Sequence, residues 1–374
     1  SVASDRWLCT IPAIGLAAPM AIVLSHDAVE KLLPIEACLD CTERALKSIS
    51  SCQVVMPVRW GVVLPLEAEK EGVHVLGHMP SYLPDAITAN PDAIRWWHPQ
   101  TDPDGRRGGG GWMATKVVSV FPSNSGTGFS SHQGVVLLFE AGNGSLKCIA
   151  DAHSVTATRT AAASAIATRL LSRPESKVLA LLGSGTQAHM HLKAVRIARP
   201  GITEVRVWSR KPESAAAFAA SYKQLGIPVV AVATPRECVA DADIICTVTP
   251  STTPILSGAD VKAGAHINAV GACFPTQREV DTETVTRSRL FVDTREACLK
   301  EPGDIVTPLK EGTIQEHHIV GEVGQVLMGR IEGRRTQEEV TLFKSVGAAV
   351  EDLCAATALF QQASTQPEGS FPRM

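Results

Sequence analysis

VLALLGSGTQAHMHL, residues 178–192, runs from five apolar residues through two closely spaced glycines into a stretch able to wind as a helix. In this pattern, G-x-G-x-x-A, Gly183 permits a tight turn, Gly185 lets the backbone approach a ligand, and Ala188 allows close packing of helix on strand. The free N–H groups at the start of a helix, with the positive end of its dipole, suit a pyrophosphate. The motif means little alone. Here an apolar strand precedes it and a helix follows, as the dinucleotide fingerprint requires.

The surroundings extend that reading. VLALLG, EVRVWS, PVVAVA, ADIICTV, AHINAVG and LFVD read as short apolar strands with helical patterns between them. Such alternation predicts an α/β fold with a doubly wound parallel sheet. The second strand ends in VRVWSRKPES, so Ser209, Arg210 and Lys211 stand where an acid would otherwise bind the ribose 2′-hydroxyl. Two cations and a hydroxyl suit a 2′-phosphate instead, which favours NADP(H) over NAD(H).

Upstream, residues 20–83 alternate strand and helix: AIVL, a cap at Ser25, a helix over about 27–49, then VVMPVRWGVVLPL and VHVLGHMPSY. Residues 84–111 hold four prolines and a run of four glycines, and read as a loop insertion. Strands resume in WMATKVVSVF and GVVLLFEA, with a hairpin turn at GNGS before LKCIAD. The alanine-rich VTATRTAAASAIATRLLS predicts a helix with Thr156–Thr160 near its start. After about 335, VTLFKSVGAAVEDLCAATALFQQA reads as a further helix that returns to the first domain. No internal repeat is visible.

Composition narrows the class. At 374 residues the chain suits two domains, and 45% hydrophobic with 20% charged residues is enough for a full interior. A net charge of -3 without like-charge runs gives no case for nucleic acid. Ten cysteines, mostly in apolar segments, read as reduced thiols of a cytoplasmic protein. The Cys38–Cys41 pair lies in a helical pattern without a second pair, and His189 and His191 lack acidic or thiolate neighbours, so no metal site is expected. Residues 7–24 are apolar enough to suggest a span or signal. Pro12 and Pro19 and the lone preceding Arg6 favour an extension leading into the first strand, with no membrane role.

Three cations stand in apolar surroundings: Arg59 in MPVRWGVV, Lys116 in MATKVVSV and Arg159 in TATRTAAA. Together they favour an anionic substrate, because Arg grips a carboxylate through paired hydrogen bonds and Lys can hold a second oxygen or protonate a nitrogen. His132, in SSHQGVVLL, is either a further polar group of the site or a structural histidine.

MPVR, GHMPSY, ATK, SHQGVVLLFE, TATRTAAASAIAT, LLGSGTQA, VRVWSR, HINAVGA, KEPGD and FKSVGAAVED together resemble the ornithine cyclodeaminase/mu-crystallin family, on its mu-crystallin side, over about residues 21–362. The resemblance implies a homodimer with a central Rossmann NADP(H)-binding domain, 161–334. An α+β substrate-binding and dimerisation domain would come from both chain ends, 1–160 and 335–374. It implies substrate and catalytic positions at Arg59, Lys116 and Arg159. It implies cofactor contacts at Arg159, Thr160, Thr186, Gln187, Ser209, Arg210, Lys211, Thr247, Thr249 and Val270, besides Gly183 and Gly185. His132 and Glu301 would border the pocket, and Lys344 and Ser345 would lie on the returning helix near the nicotinamide.

One departure bears on the reaction. Cys273, in INAVGACFPTQRE, stands where cyclodeaminase members carry a catalytic aspartate, and a thiol is a poor base at neutral pH. The expectation is therefore an NADPH-dependent oxidoreductase acting on C=N bonds, a ketimine reductase for carboxylate-bearing imines. The alternatives are an ornithine cyclodeaminase releasing ammonia and proline, an alanine dehydrogenase, or a non-enzymatic binder of thyroid hormone-like ligands.

Overall fold

The computed structural model describes residues 20–64, 74–84, 110–124 and 127–374. Two sheets share the chain. The first contains β1 (Ile22–Leu24), β2 (Trp60–Leu64), β3 (His74–Pro84), β4 (Gly111–Val120), β5 (His132–Glu140) and β6 (Leu146–Asp151), ordered β1-β6-β5-β4-β3-β2. Strands β2 to β6 form an antiparallel meander, and β1 adds parallel to β6. The expected 84–111 insertion falls between β3 and β4, where Pro84 pairs with Gly111; its residues 85–109 lie outside the described residues, as does most of 7–24.

The second sheet is wholly parallel. It contains β7 (Val178–Leu182), β8 (Glu204–Trp208), β9 (Val229–Ala231), β10 (Ile244–Thr247), β11 (His266–Ala269), β12 (Ser288–Val292), β13 (Ile319–Glu322) and β14 (Val340–Lys344). The order β13-β12-β14-β11-β10-β7-β8-β9 reverses direction at β7, where β8 lies on one side and β10 on the other. That reversal opens the crevice in which doubly wound sheets take ligands. The glycine turn follows β7 directly.

Three expectations need correction. The segment from 340 is not one helix: VTLFK is strand β14, hydrogen-bonded between β11 and β12, and the helix begins only at Ala349. A short, fully buried apolar run carries no period that separates strand from helix, and the boundary drawn at 335 cut this strand away from its sheet. The helix expected over 27–49 is two, His26–Leu32 and Ile35–Ser50, because Pro34 cannot continue the first. The alanine-rich helix starts a turn earlier than read, at Ala152, where the Asp151 carboxylate accepts from the Ser154 N–H at 2.8 Å.

That helix, Ala152–Leu171, is buried along nearly its whole length. Its alanines let neighbours approach closely: Val155 and Ala162 join the core under the first sheet with Val136, Leu138, Leu353 and Leu359, while Ile166 and Ala167 pack with Phe291 and Phe343 of the parallel sheet. Polar contacts tie its far half to the same sheet and to the helix that follows the glycine turn. Thr168 accepts from the Asn268 amide at 2.9 Å, and Ser164 pairs with His191 at 2.9 Å. Among the described residues, no helix is long and apolar enough to cross a membrane.

Candidate active site

The glycine turn takes the form that its sequence requires. Gly183 has φ +123°, and a Cβ there would lie 2.9 Å from the Val248 carbonyl oxygen, so a side chain is excluded on both counts. Gly185 differs, with no atom within 4 Å of where its Cβ would stand. It caps the helix Thr186–Ala198 without any side-chain hydrogen bond, which leaves first-turn N–H groups facing open space. Ala188 is fully buried against the sheet. The open helix start suits an anion, and the buried Gln187 Oε1, an acceptor without a protein partner among the described residues, is left for a donor group of a bound ligand.

Around the turn, the C-terminal ends of the parallel strands bring together the other expected cofactor positions: Ser209–Lys211 after β8, Thr247 at the end of β10 and Thr249 just beyond it, Val270 after β11, and Lys344 and Ser345 at the end of β14. Arg210 and Lys211 are exposed at the rim. Lys344 and Ser345 sit on a strand end and a turn, not on the returning helix. Several of these side chains are held by acids that the sequence reading did not single out. Glu279 accepts from both threonine hydroxyls at 2.8 Å, and from the Thr249 and Gly271 N–H groups at 2.6 Å. Asp304 pairs with Lys344 at 2.9 Å. Asp293 accepts from the Ser345 hydroxyl at 3.1 Å and from the Val346 and Gly347 N–H groups at 2.7 Å. The loops at this edge are thus fixed by three buried carboxylates.

The turn Ser345–Gly347 is also where the two lobes meet. Arg59, just before β2, donates through Nη2 to the Val346 carbonyl at 2.6 Å and the Gly347 carbonyl at 2.7 Å, and pairs with Glu301 at 3.0 Å. Gly347 has φ +79°, and any Cβ on it would fall on the Arg159 guanidinium. A small cavity of about 40 Å³ opens beside Arg59, bounded by Met79, Ala297, Glu301 and Gly347.

Lys116, Arg159 and Arg59, read from sequence as one group, do converge, but none stands as a bare cation. Lys116 points to the inner face of β4, with Nζ 2.9 Å from Asp352 Oδ2 and 3.3 Å from the Thr156 hydroxyl. Arg159 reaches Asp352 Oδ1 with Nε at 3.2 Å and Glu351 with Nη1 at 3.0 Å. Burial pulls Lys116 down to about 8 against the opposing pull of Asp352. Burial likewise lifts Glu351 to about 7, with Arg159 resisting. The Asp352 carboxyl stays below the usual range because Lys116 and Arg159 together outweigh its burial.

His132 lies at the margin. Its ring meets the Ser131 hydroxyl at 3.1 Å, and burial with the nearby Lys116 charge lowers it to about 4, so it is neutral. Cys273 sits by the same cluster, its Sγ 3.5 Å from the Val270 carbonyl, and burial raises the thiol despite Lys344 and Arg59. His189 and His191 bind Tyr222, Gln187 and Ser164. Among the described residues no group of His, Cys, Asp and Glu could hold a metal.

Glu351 and Asp352 were the principal omission. A signal existed: they are the only charges in the helix Ala349–Ser364. Adjacent acids in an otherwise uncharged apolar helix call for buried cations.

Comparison with known proteins identifies the family of this fold. Residues 106–366 match the model of the ornithine cyclodeaminase/mu-crystallin family. The chain is 39% identical over 349 residues to the ketimine reductase mu-crystallin of Macropus fuliginosus, covering 92% of this chain and 98% of that protein. It is 31% identical to a delta(1)-pyrroline-2-carboxylate reductase of Bacillus cereus, covering 93% and 98%. Among solved structures, the delta(1)-pyrroline-2-carboxylate reductase of Thermococcus litoralis, in complex with NADH and L-proline, superposes with a TM-score of 0.80 at 34% identity, covering 92% of this chain and 97% of that one. With its glycine turn, its switch-point crevice and its converging cations, the chain belongs to the ornithine cyclodeaminase/mu-crystallin family.

Proposed function

We propose that this protein is an NADP(H)-dependent reductase of imines that carry a carboxylate on or beside the C=N carbon, cyclic ketimines first among them. One observation carries the reading: Arg59, Lys116 and Arg159 converge at the C-terminal edge of a sheet whose glycine turn is open to a dinucleotide. The reductase relatives named above act on substrates of this class.

The chain's residues divide the work. Gly185 and the first turn of its helix would hold the pyrophosphate, and Ser209, Arg210 and Lys211 the 2′-phosphate. When bound, the nicotinamide supplies hydride to carbon. Arg59, whose Nε and Nη2 are held by Glu301 and the Val346 and Gly347 carbonyls, would turn Nη1 to the substrate carboxylate, and Lys116 and Arg159 add positive charge behind it. Opposing them are Glu301, Asp352 and Glu351, and because Glu351 titrates at about 7 the cluster turns net positive once that acid is protonated. Lys116, brought to about 8, is suited to hold or give the proton that the substrate nitrogen needs. Cys273, a thiol raised by burial, lacks the basicity that ornithine deamination asks of this position.

The antiparallel sheet and its helices form the substrate lobe in this reading, and they also support a homodimer. Trp60, Val62, Leu76 and Val135 are exposed on the sheet face opposite the helices. A second copy of this chain covering that face would remove an apolar surface from water. Free, buried thiols such as Cys148, Cys246 and Cys354 support a cytoplasmic setting.

The test is absorbance at the nicotinamide band with a cyclic ketimine carboxylate, NADPH and NADH. Net NADPH oxidation, with tighter binding of NADPH than NADH, is the expected result. Proline formed from ornithine without net oxidation, or ligand binding with no turnover of any imine, would overturn the reading.

A further inference from the structure

Asp352 is fully buried and uses each of its oxygens on a different cation: Oδ2 on the Lys116 ammonium at 2.9 Å and Oδ1 on the Arg159 Nε at 3.2 Å. Those cations come from separate elements, Lys116 from β4 and Arg159 from the Ala152–Leu171 helix, while Asp352 comes from the first turn of the Ala349–Ser364 helix. One carboxylate therefore joins three elements around the Lys116 ammonium. Among the described residues the neighbouring Glu351 side chain pairs with Arg159 alone, so the two adjacent acids are not equivalent.

We infer that Asp352 is the positioning residue of this site: it keeps the Lys116 ammonium charged and aimed while fixing the Arg159 guanidinium, so that Lys116 is the acid that protonates the substrate nitrogen. The inference rests on the imine-reductase reading and deepens it. In the step concerned, an N–H bond of the Lys116 ammonium breaks as an N–H bond to the imine nitrogen forms. Lys116 is left as a neutral amine, and water returns its proton afterwards. Asp352 exchanges no proton.

The charges facing Lys116 explain why a carboxylate is required there. Arg159 from its helix and Arg59 from the strand approach both disfavour the ammonium, as does burial; His132 from β5 is neutral; Glu351 and Asp352 favour it. Of these acids only Asp352 touches Lys116. Without its charge, two guanidiniums and a dry environment would strip the lysine of its proton. An isosteric amide would keep the shape and lose the charge.

The experiment is the pH dependence of kcat/KM for a cyclic ketimine carboxylate in wild type and Asp352→Asn, with NADPH affinity as the check on folding. In the variant the basic limb should move at least one pH unit toward acid, and kcat/KM at pH 8 should fall at least about fivefold, with cofactor affinity kept. A purely structural role would lower the rate and leave the limb in place, and that result would overturn the inference. Asp352→Glu should retain the basic limb. Independently of turnover, NMR of lysines labelled at ε-nitrogen should show one ammonium titrating near 8 in wild type, absent in Lys116→Met. A Lys116 titrating at 10 or above contradicts the proposal even if no imine is reduced, whereas a wild type inactive on all imines but titrating near 8 would sink only the reductase reading.

Discussion

Arg59 satisfies two backbone carbonyls and one carboxylate with a single guanidinium, and so ties the strand approach to the turn that follows β14. Its loss removes both a substrate anchor and a contact between the lobes. Arg59→Ala should lower kcat/KM on the order of 100-fold, equivalent to about 3 kcal/mol. Arg59→Lys should recover little, since an ammonium cannot reproduce the fork. Steady-state kinetics decide it, and activity within threefold of wild type would remove Arg59 from the mechanism. Glu351 gives a second expectation. Raised to about 7 by burial, its carboxyl is neutral below that value and charged above it, so a nitrogen-free carboxylate analogue should bind more tightly as pH falls through 7. Titration calorimetry should show that trend in wild type and its absence in Glu351→Gln. The cations were legible in the sequence because each is a lone charge in an apolar string. The acids that fix the neighbouring loops were not, because Asp293 and Glu279 lie in loops and Asp304 in the first turn of a helix, where acids normally face water.

The element around the glycine turn separates two roles that the motif merges. Gly183 is required by the fold: φ +123° and the nearby Val248 carbonyl make Gly183→Ala costly, about 1–3 kcal/mol of stability. Gly185 has an ordinary extended backbone and an open surround, so Gly185→Ala should leave Tm nearly unchanged and weaken NADPH binding at least tenfold. Thermal melts with cofactor titration check both, and a Gly185→Ala protein that melts early but binds NADPH normally would reverse the assignment. This unit was readable because strand, glycines and helix are local and consecutive. Strand β14 was not, because its place between β11 and β12 is a long-range fact. Five buried residues, VTLFK, say nothing of period, and the break at Gly347 reveals itself only through its positive φ. Lys344, buried and paired with Asp304, would have argued against a plain apolar strand as much as against a helix.

For the whole molecule, pH and assembly are the observables. His132 and His191 are lowered to about 4 and His266 to about 3, in each case first by burial. A histidine with a depressed folded value binds its proton more readily unfolded, so stability present above about 6.5 is lost as pH falls toward those values. Glu351 works in the opposite sense, and its folded state is favoured as pH drops below 7. Four lowered histidines, His189 with them, stand against three raised acids, Glu279, Glu301 and Glu351, and predict a net fall in Tm between pH 6.5 and 4, checked by calorimetry; a Tm that rises over that range would contradict the burial of these rings. The proposed dimer rests on the uncovered sheet face. Leu76→Glu, at a residue 47% exposed, should convert a dimer to monomers in analytical ultracentrifugation, and a wild type that sediments as a monomer at micromolar concentration would refute the dimer. The two-lobed plan was legible from alternating patterns and a shift in composition. The meeting of the lobes at Ser345–Gly347 was not, since it joins residues far apart in the chain.

The most direct test of the central claim compares one ring with and without its acid group: kcat/KM, with NADPH, for a cyclic imine bearing a carboxylate on the C=N carbon against the same imine lacking it. If Arg59, Lys116 and Arg159 grip that carboxylate, the acid should be preferred by about 100-fold or more. Equal values for the two substrates would show that the cations do not hold the substrate, and would contradict the account.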